Sequence, residues 1–109
     1  MLHIVRKKVS PKQIEEMCVD LDGYIKIVVD VERGILAGGG LRHVEGEQSL
    51  LADGSKQSNL WGGGIDWQTK EINYNSVINL RPAGGNPSRE VLSVHVRKQC
   101  DAIIKKLLL

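Results

Sequence analysis

The feature that most constrains the fold is the shortness of the connections between the β-prone segments of the chain. Only Glu32, Arg33 and Gly34 separate the apolar run 24–31 from the run 35–44, and only residues 67–71 separate 60–66 from 72–80. A parallel crossover needs about a dozen residues or more, so strands joined this closely must pair antiparallel. A second hairpin is expected around Asp53 and Gly54.

A helix is expected near each end of this sheet. Ser10, Pro11 and Gln13 have the order of a capping box with proline at the first helical position, and Gly23 follows as a natural end. Apolar residues between them recur at helical spacing: Ile14, Met17, Cys18 and Leu21. The last helix begins either at Asn86-Pro87 or at Ser93, and its expected buried stripe is Val96, Cys100, Ile103 and Leu107.

These elements predict a single α+β domain spanning residues 1–109. Its core is a twisted, mainly antiparallel sheet of about five or six strands, with an N-terminal and a C-terminal helix. A content of 41% hydrophobic and 26% charged residues excludes a disordered chain and a membrane protein. Cys18 and Cys100 fall on apolar stripes, which indicates reduced, unreactive thiols. With no signal peptide in sight, a cytoplasmic protein is expected, and no cofactor is implied.

Two glycine triplets interrupt apolar segments, at 38–40 and at 62–64. Glycine weakens a strand, so a run of three indicates a bend or a close approach of backbone. If the two strands are neighbours, the triplets form a flat floor for a ligand beside Trp61. The alternative is that they only allow the sheet to coil.

The predicted strand 72–80 has one polar face, which carries Asn73, Asn75, Asn79 and, just beyond it, Arg81. Amides both donate and accept hydrogen bonds, so this row suits a polar ligand or a protein partner. The alternative is an ordinary solvent-facing surface.

An anion site is predicted where this strand runs into a loop flanked by two arginines. Backbone N–H groups of a flexible loop before a helix, with arginine charge beside them, commonly bind anions. The predicted ligand-binding residues are Arg81, Gly84, Gly85, Asn86, Arg89, Asn79 and Trp61. The alternative is a capped helix with two surface arginines.

A weaker possibility is a metal or acid–base site. His43, Glu45 and Glu47 alternate, so on a strand they would share one face, with Asp30 on the adjacent strand. Gly46 disturbs that strand, however, and no second histidine lies nearby to complete a zinc-type set.

Three stretches of the chain also carry a resemblance. They are 29–40, with Gly38, Gly39 and Gly40; 51–62, with Asp53-Gly54-Ser55 and Trp61-Gly62; and 78–90, with Asn79-Leu80-Arg81-Pro82. Together they resemble a family of prokaryotic proteins of about this length, classed as a domain of unknown function. The resemblance implies one domain and brings no activity, cofactor or catalytic residue.

The sequence therefore favours a non-enzymatic module, expected to form a homodimer, that binds a small anion or a protein partner. The first alternative is a small metal-assisted hydrolase that uses His43, Glu45, Glu47 and Asp30. The second is an RNA-associated protein that uses the basic residues near the two ends. A net charge of +2 and the lack of interleaved aromatic residues make nucleic-acid binding unlikely.

Overall fold

A computed structural model describes all 109 residues and contains one five-stranded sheet with three α-helices. Along the chain these are β1 (His3–Val5), α1 (Pro11–Val19), β2 (Tyr24–Asp30), β3 (Ile35–Gly38), α2 (His43–Ala52), β4 (Leu60–Asp66), β5 (Ile72–Asn73) and α3 (Val94–Leu108). Short 3-10 turns lie at Gln57–Asn59, Val77–Asn79 and Pro82–Gly84. The strand order is β1-β3-β2-β4-β5 and every pairing is antiparallel, which confirms the predicted fold class.

Helices cover both faces of the sheet, because the central strand β2 is apolar on both sides. Ile25, Ile27 and Val29 pack in one core with side chains of α1 and α3, while Val28 packs in a second core with Leu50 of α2. Lys26 lies two residues before Val28, so it belongs to the α2 side of the sheet. This side carries the candidate site described below.

The local signals at α1 act as predicted. The Ser10 hydroxyl accepts a hydrogen bond from the Gln13 N–H at 3.2 Å, and the Gln13 side chain accepts one from the Ser10 N–H at 2.9 Å. After the helix, Gly23 adopts a φ of +96° and its N–H donates to the Cys18 carbonyl. These contacts satisfy orphan backbone groups at both ends of the helix.

Helix α3 begins after Ser93, the later of the two predicted starts, and the Ser93 hydroxyl accepts from the Val96 N–H. Its buried residues are Cys100, Ile104, Leu107 and Leu108, with Ile103 only partly buried. The predicted stripe is therefore correct to within one residue. No helix, α3 included, combines the length and the apolar character that a membrane-crossing helix needs.

The predicted strand 35–44 is correct for residues 35–38, which pair with β2 as expected, and wrong beyond Gly38. The predicted hairpin at Asp53-Gly54 is wrong, because the segment before it is a helix. Gly39 and Gly40 have φ of +99° and +79°, which turns the chain out of the sheet after Gly38. Residues 43–52 then form α2, and a Cβ on Gly46 would lie only 3.0 Å from Val28 Cγ2. Close packing on the sheet thus outweighs the low helix propensity of this glycine.

The predicted strand 72–80 is also wrong beyond Asn73. The chain continues with a single bridge between Asn75 and Glu90, and then with the 3-10 turn Val77–Asn79. The Asn79 side chain is fully buried: its Oδ1 accepts from the Gly62 N–H at 2.8 Å, and its Nδ2 donates to the Gly62 carbonyl at 2.9 Å. The Asn79 side chain thus makes hydrogen bonds to β4 of the kind that a longer β5 would have made.

Candidate functional site

A polar cleft of about 330 Å³ opens on the α2 side of the sheet, which is within the size range of small-molecule sites. Three parts of the chain form it: β2, the start of α2, and the segment between β5 and α3. We call it the basic cleft, and its lining residues are Lys26, Arg42, His43, Val44, Asn75, Ser76, Val77 and Arg89.

Positive charge dominates the basic cleft. Lys26, Arg42 and Arg89 line it, no acidic residue does, and none of the three forms an ion pair within the chain. The carboxylates next to these residues along the chain are occupied: Glu45 Oε1 accepts from the N–H groups of Leu41 and Arg42, each at 2.8 Å, and Glu90 contacts Asn75 and Arg97. The cleft therefore presents three uncompensated cations to whatever enters it.

His43, the first residue of α2, also lines the basic cleft and contacts β4. Its Nε2 lies 2.6 Å from the Gly63 carbonyl oxygen, which can only accept a hydrogen bond. Burial lowers the pKa of His43, and the positive charge of Lys26 lowers it further, although the bond to Gly63 opposes both effects. In the neutral imidazole, the contact with this carbonyl oxygen places the proton on Nε2.

Hydrogen bonds fix the opposite wall. The Ser76 N–H donates to the Arg89 carbonyl at 3.0 Å, which joins the two segments that contribute to the cleft. Asn75 Nδ2 donates to Glu90 Oε1 at 2.9 Å, and Glu90 in turn pairs with Arg97 of α3. The placement of Arg89 therefore depends on the folded loop around it.

Arg81, the central residue of the predicted anion site, lies elsewhere and serves the fold. Its guanidinium stacks on the Trp61 ring, 4.1 Å from the centroid, and donates to the carbonyls of Ser58, Leu60 and Ile78. Burial lowers the pKa of Arg81. Arg81 and Trp61 line none of the three clefts, so the geometry lends no support to a ligand shared by Arg81 and Arg89, which stays a prediction.

The other predicted loop residues are structural or exposed. Buried Asn86 donates from Nδ2 to the carbonyls of Asn79, Ser88 and Glu90, and its Oδ1 accepts from the Leu92 N–H. Gly84 and Gly85 are exposed at the end of a 3-10 turn and line no cleft. Of the seven predicted ligand-binding residues, only Arg89 reaches the basic cleft.

The weaker metal hypothesis fails on geometry. Because residues 43–52 are helical, His43, Glu45 and Glu47 do not share a strand face. Each has its own contact, and Asp30 Oδ1 accepts from the N–H groups of Glu32 and Arg33 in the turn after β2. No group of three or more His, Cys, Asp or Glu side chains is placed to hold a metal ion.

The glycine triplets serve close packing. β2 lies between β3 and β4, and Ile27 pairs with both Gly38 and Gly63, so the triplets are not on neighbouring strands. A Cβ on Gly63 would lie 2.3 Å from the Asn73 carbonyl oxygen, and one on Gly64 would lie 2.0 Å from the Tyr24 hydroxyl. The space a ligand floor would need is already filled by the protein.

A larger groove, of about 620 Å³, lies beside the start of α1. Its lining is mostly apolar, and Lys8 and Glu15 bring one charge of each sign: Lys8, Val9, Ser10, Pro11, Ile14, Glu15, Cys18, Trp67 and Leu108. It has no set of convergent polar side chains of the kind that orients a small polar ligand. The basic cleft is therefore the stronger candidate for a specific site.

Comparison with known proteins identifies the family. The family described as protein of unknown function, DUF5674, matches residues 3–107 of the chain. The chain belongs to this family. The match spans all five strands of this DUF5674 protein and all of α3 except its last residue, and it confirms the resemblance to a domain of unknown function. No curated protein and no solved structure matches the chain.

Three polar cleft residues of the DUF5674 protein are absent from the sequence-based hypotheses: Lys26, Arg42 and Ser76. Lys26 and Val28 lie on the same face of β2, opposite to the face of Ile25 and Ile27. The sequence does not show what covers the face of Lys26. Glu45, three residues after Arg42, is the available signal, since a glutamate at this position caps a helix start. With that cap recognised, Arg42 and His43 fall together at the beginning of α2.

Proposed function

We propose that this DUF5674 protein is a non-enzymatic module that binds a small anionic ligand in the basic cleft. One observation carries the proposal: Lys26, Arg42 and Arg89 converge on one cleft that contains no acidic residue. This keeps the anionic ligand and Arg89 of the sequence-based hypothesis, and it moves the site from the Arg81 loop to the α2 side of the sheet.

The physical reason is the cost of gathering like charges without a counter-ion. Like charges that line one cleft repel one another when no counter-ion lies among them. An anion between the three side chains turns this repulsion into attraction. Arg42 and Arg89 add planar donors suited to oxyanions, and Asn75 and Ser76 add neutral polar groups.

The test is thermal unfolding with phosphate and with sulfate at constant ionic strength. We expect the melting temperature of the wild-type protein to rise with either anion, because a ligand at 100 times its Kd stabilises by about 2.7 kcal/mol. Arg89→Ala and Lys26→Met should each remove most of the rise. Lys26→Met keeps the apolar stem of the side chain and removes only its charge.

Lys12→Ala is the matched control, because Lys12 is an exposed cation on α1, which packs on the other face of the sheet. Its anion-dependent rise should equal that of the wild type. An equal rise in Arg89→Ala and Lys26→Met, or no rise in the wild type with either anion, would overturn the proposal.

RNA binding through the basic ends remains the alternative of a different class. It predicts affinity for a single-stranded oligonucleotide that falls steeply with salt and is lost when Lys7, Lys8, Lys105 and Lys106 are replaced. Binding through the basic cleft predicts that these four substitutions leave the phosphate-dependent rise unchanged. The two sets of substitutions therefore separate the two functions.

We also propose that the protein is a cytoplasmic homodimer. The two thiols, Cys18 and Cys100, are both free, which is consistent with a reducing compartment. Four apolar side chains within residues 77–94 are exposed and support a protein–protein contact: Val77, Leu80, Leu92 and Val94. Sedimentation equilibrium of the wild type tests the dimer, and a monomer at all concentrations would contradict it.

A further inference from the structure

The tautomer of His43 follows from its contact with β4. The Gly63 carbonyl oxygen lies 2.6 Å from Nε2 and has no proton to give, so Nε2 carries the hydrogen. In the neutral imidazole Nδ1 is then the unprotonated nitrogen, and any further proton must be taken up there. His43 is at the same time a lining residue of the basic cleft.

The charged side chains that line the cleft together with His43 are all cations. They are Lys26 of β2, Arg42 directly before α2, and Arg89 of the segment before α3. The charge of Lys26 lowers the pKa of His43. The carboxylates nearby are engaged elsewhere: Glu45 with the N–H groups of Leu41 and Arg42, Glu47 with Gln57, and Glu90 with Asn75 and Arg97. Only the contact with the Gly63 carbonyl favours a positive charge on this ring, and burial together with the charge of Lys26 outweighs it, so the pKa of His43 is lowered.

We propose that the charged part of the ligand is the dianion of a phosphate monoester, and that its binding is coupled to uptake of a proton by His43. This inference rests on the proposed function of the basic cleft. Three unpaired cations match a group with two negative charges and three terminal oxygens better than they match a carboxylate, a sulfate ester or a phosphate diester, each with one charge. Val44 and Val77 supply apolar contact for the organic part of such an ester.

The proton uptake follows from linkage. A dianion in the cleft favours the charged imidazolium, so the affinity of Nδ1 for protons rises when the ligand is bound. Above the pKa of His43 in the free protein and below its pKa in the complex, binding must take a proton from the buffer. The same attraction strengthens binding as the pH falls toward about 6, the pKa of the second ionisation of the phosphate.

The test compares phenyl phosphate with phenyl sulfate, which have nearly the same shape but differ in charge at about pH 7.5. Isothermal titration calorimetry at constant ionic strength measures both affinities, and a pair of buffers with different ionisation enthalpies measures the protons taken up. We expect phenyl phosphate to bind the wild type about tenfold more tightly, as a second charge in a cationic cleft should produce. We also expect proton uptake with phenyl phosphate only.

His43→Gln is the diagnostic variant, because its amide N–H can still donate to the Gly63 carbonyl while nothing replaces the titratable Nδ1. It should bind phenyl phosphate without proton uptake. Equal binding of the two esters by the wild type, or undiminished uptake in His43→Gln, would overturn this inference while leaving an anion site that depends on Arg89. If neither ester nor inorganic phosphate binds, the proposed function fails with it.

Discussion

The side-chain amide of Asn79 pairs with the main chain of Gly62 through two hydrogen bonds, as a neighbouring strand would. The Gly62 N–H donates to Asn79 Oδ1 at 2.8 Å and Asn79 Nδ2 donates back to the Gly62 carbonyl at 2.9 Å. Nδ2 also lies within hydrogen-bond distance of the Tyr74 and Arg89 carbonyls. This one amide joins β4 to the segment that carries Asn75, Ser76 and Arg89 of the basic cleft.

Asn79→Ala is therefore expected to lower the free energy of unfolding by about 3 kcal/mol, since it leaves the buried Gly62 N–H without an acceptor and opens a cavity. Urea denaturation measures the change. Asn73→Ala is the control: Asn73 is exposed, so its loss should cost less than about 1 kcal/mol. Equal costs for the two variants would show that the Asn79 amide does not brace the loop.

Gly63→Ala should destabilise the sheet edge and weaken anion binding together. The new Cβ would lie 2.3 Å from a main-chain oxygen, that of Asn73, so β5 must shift, at an expected cost of about 2 kcal/mol. The Gly63 carbonyl also positions His43. Gly84→Ala, whose Cβ would meet only the Arg81 side chain, 3.3 Å from its Cβ, should cost clearly less in the same denaturation and phosphate-binding measurements.

In the absence of anions, acid should destabilise the wild type through His43. The folded-state pKa of His43 lies below its ordinary value of 6.5, so the unfolded chain binds the proton first. The free energy of unfolding should fall as the pH drops through 6.5 and level off once the pH is below the folded-state pKa.

His43→Gln lacks this contribution, so the difference in stability between it and the wild type should change over the same pH interval. Denaturant titrations from about pH 8 to about pH 5 measure it. A difference that stays constant with pH, or a wild type that gains stability relative to the variant on acidification, would contradict the assignment.

The two cysteines should differ in reactivity toward a disulfide reagent at about pH 8. Burial, reinforced by the charge of Asp101, raises the pKa of Cys100 to about 12, while burial raises the pKa of the half-buried Cys18 and Lys70 partly offsets that effect. We expect Cys18 to react slowly and Cys100 to react only after unfolding. Cys18→Ser isolates the second thiol, and prompt labelling of that folded variant would refute the expectation.

The parts of the fold that the sequence predicts correctly depend on neighbours in the chain. Ser10 and Gln13 cap α1 through contacts three residues apart, and Gly34 lies in a turn too short for anything but an antiparallel pair. The alternation of Ile25, Ile27 and Val29 likewise identifies one buried face of β2. In each case the deciding interaction spans only a few residues.

The parts that the sequence does not predict depend on contacts between distant segments. Gly46 was expected to disturb a strand through His43 and Glu47, but its missing side chain lets α2 lie on Val28 and Ala37. Asn79 belonged to an apparent polar strand face, but its amide is buried against Gly62, and Arg81 is turned onto Trp61. Local preference was outweighed each time by packing or by the need to satisfy a buried polar group.

The sequence by itself determined the fold class, the caps, the turns and one face of the central strand, because short-range spacing encodes them. Only the tertiary structure decided the candidate site, because Lys26, Arg42, His43 and Arg89 become neighbours only when β2, α2 and the segment before α3 pack together. The positive charge of the cleft comes from residues of separate segments, so no single stretch of the sequence contains it.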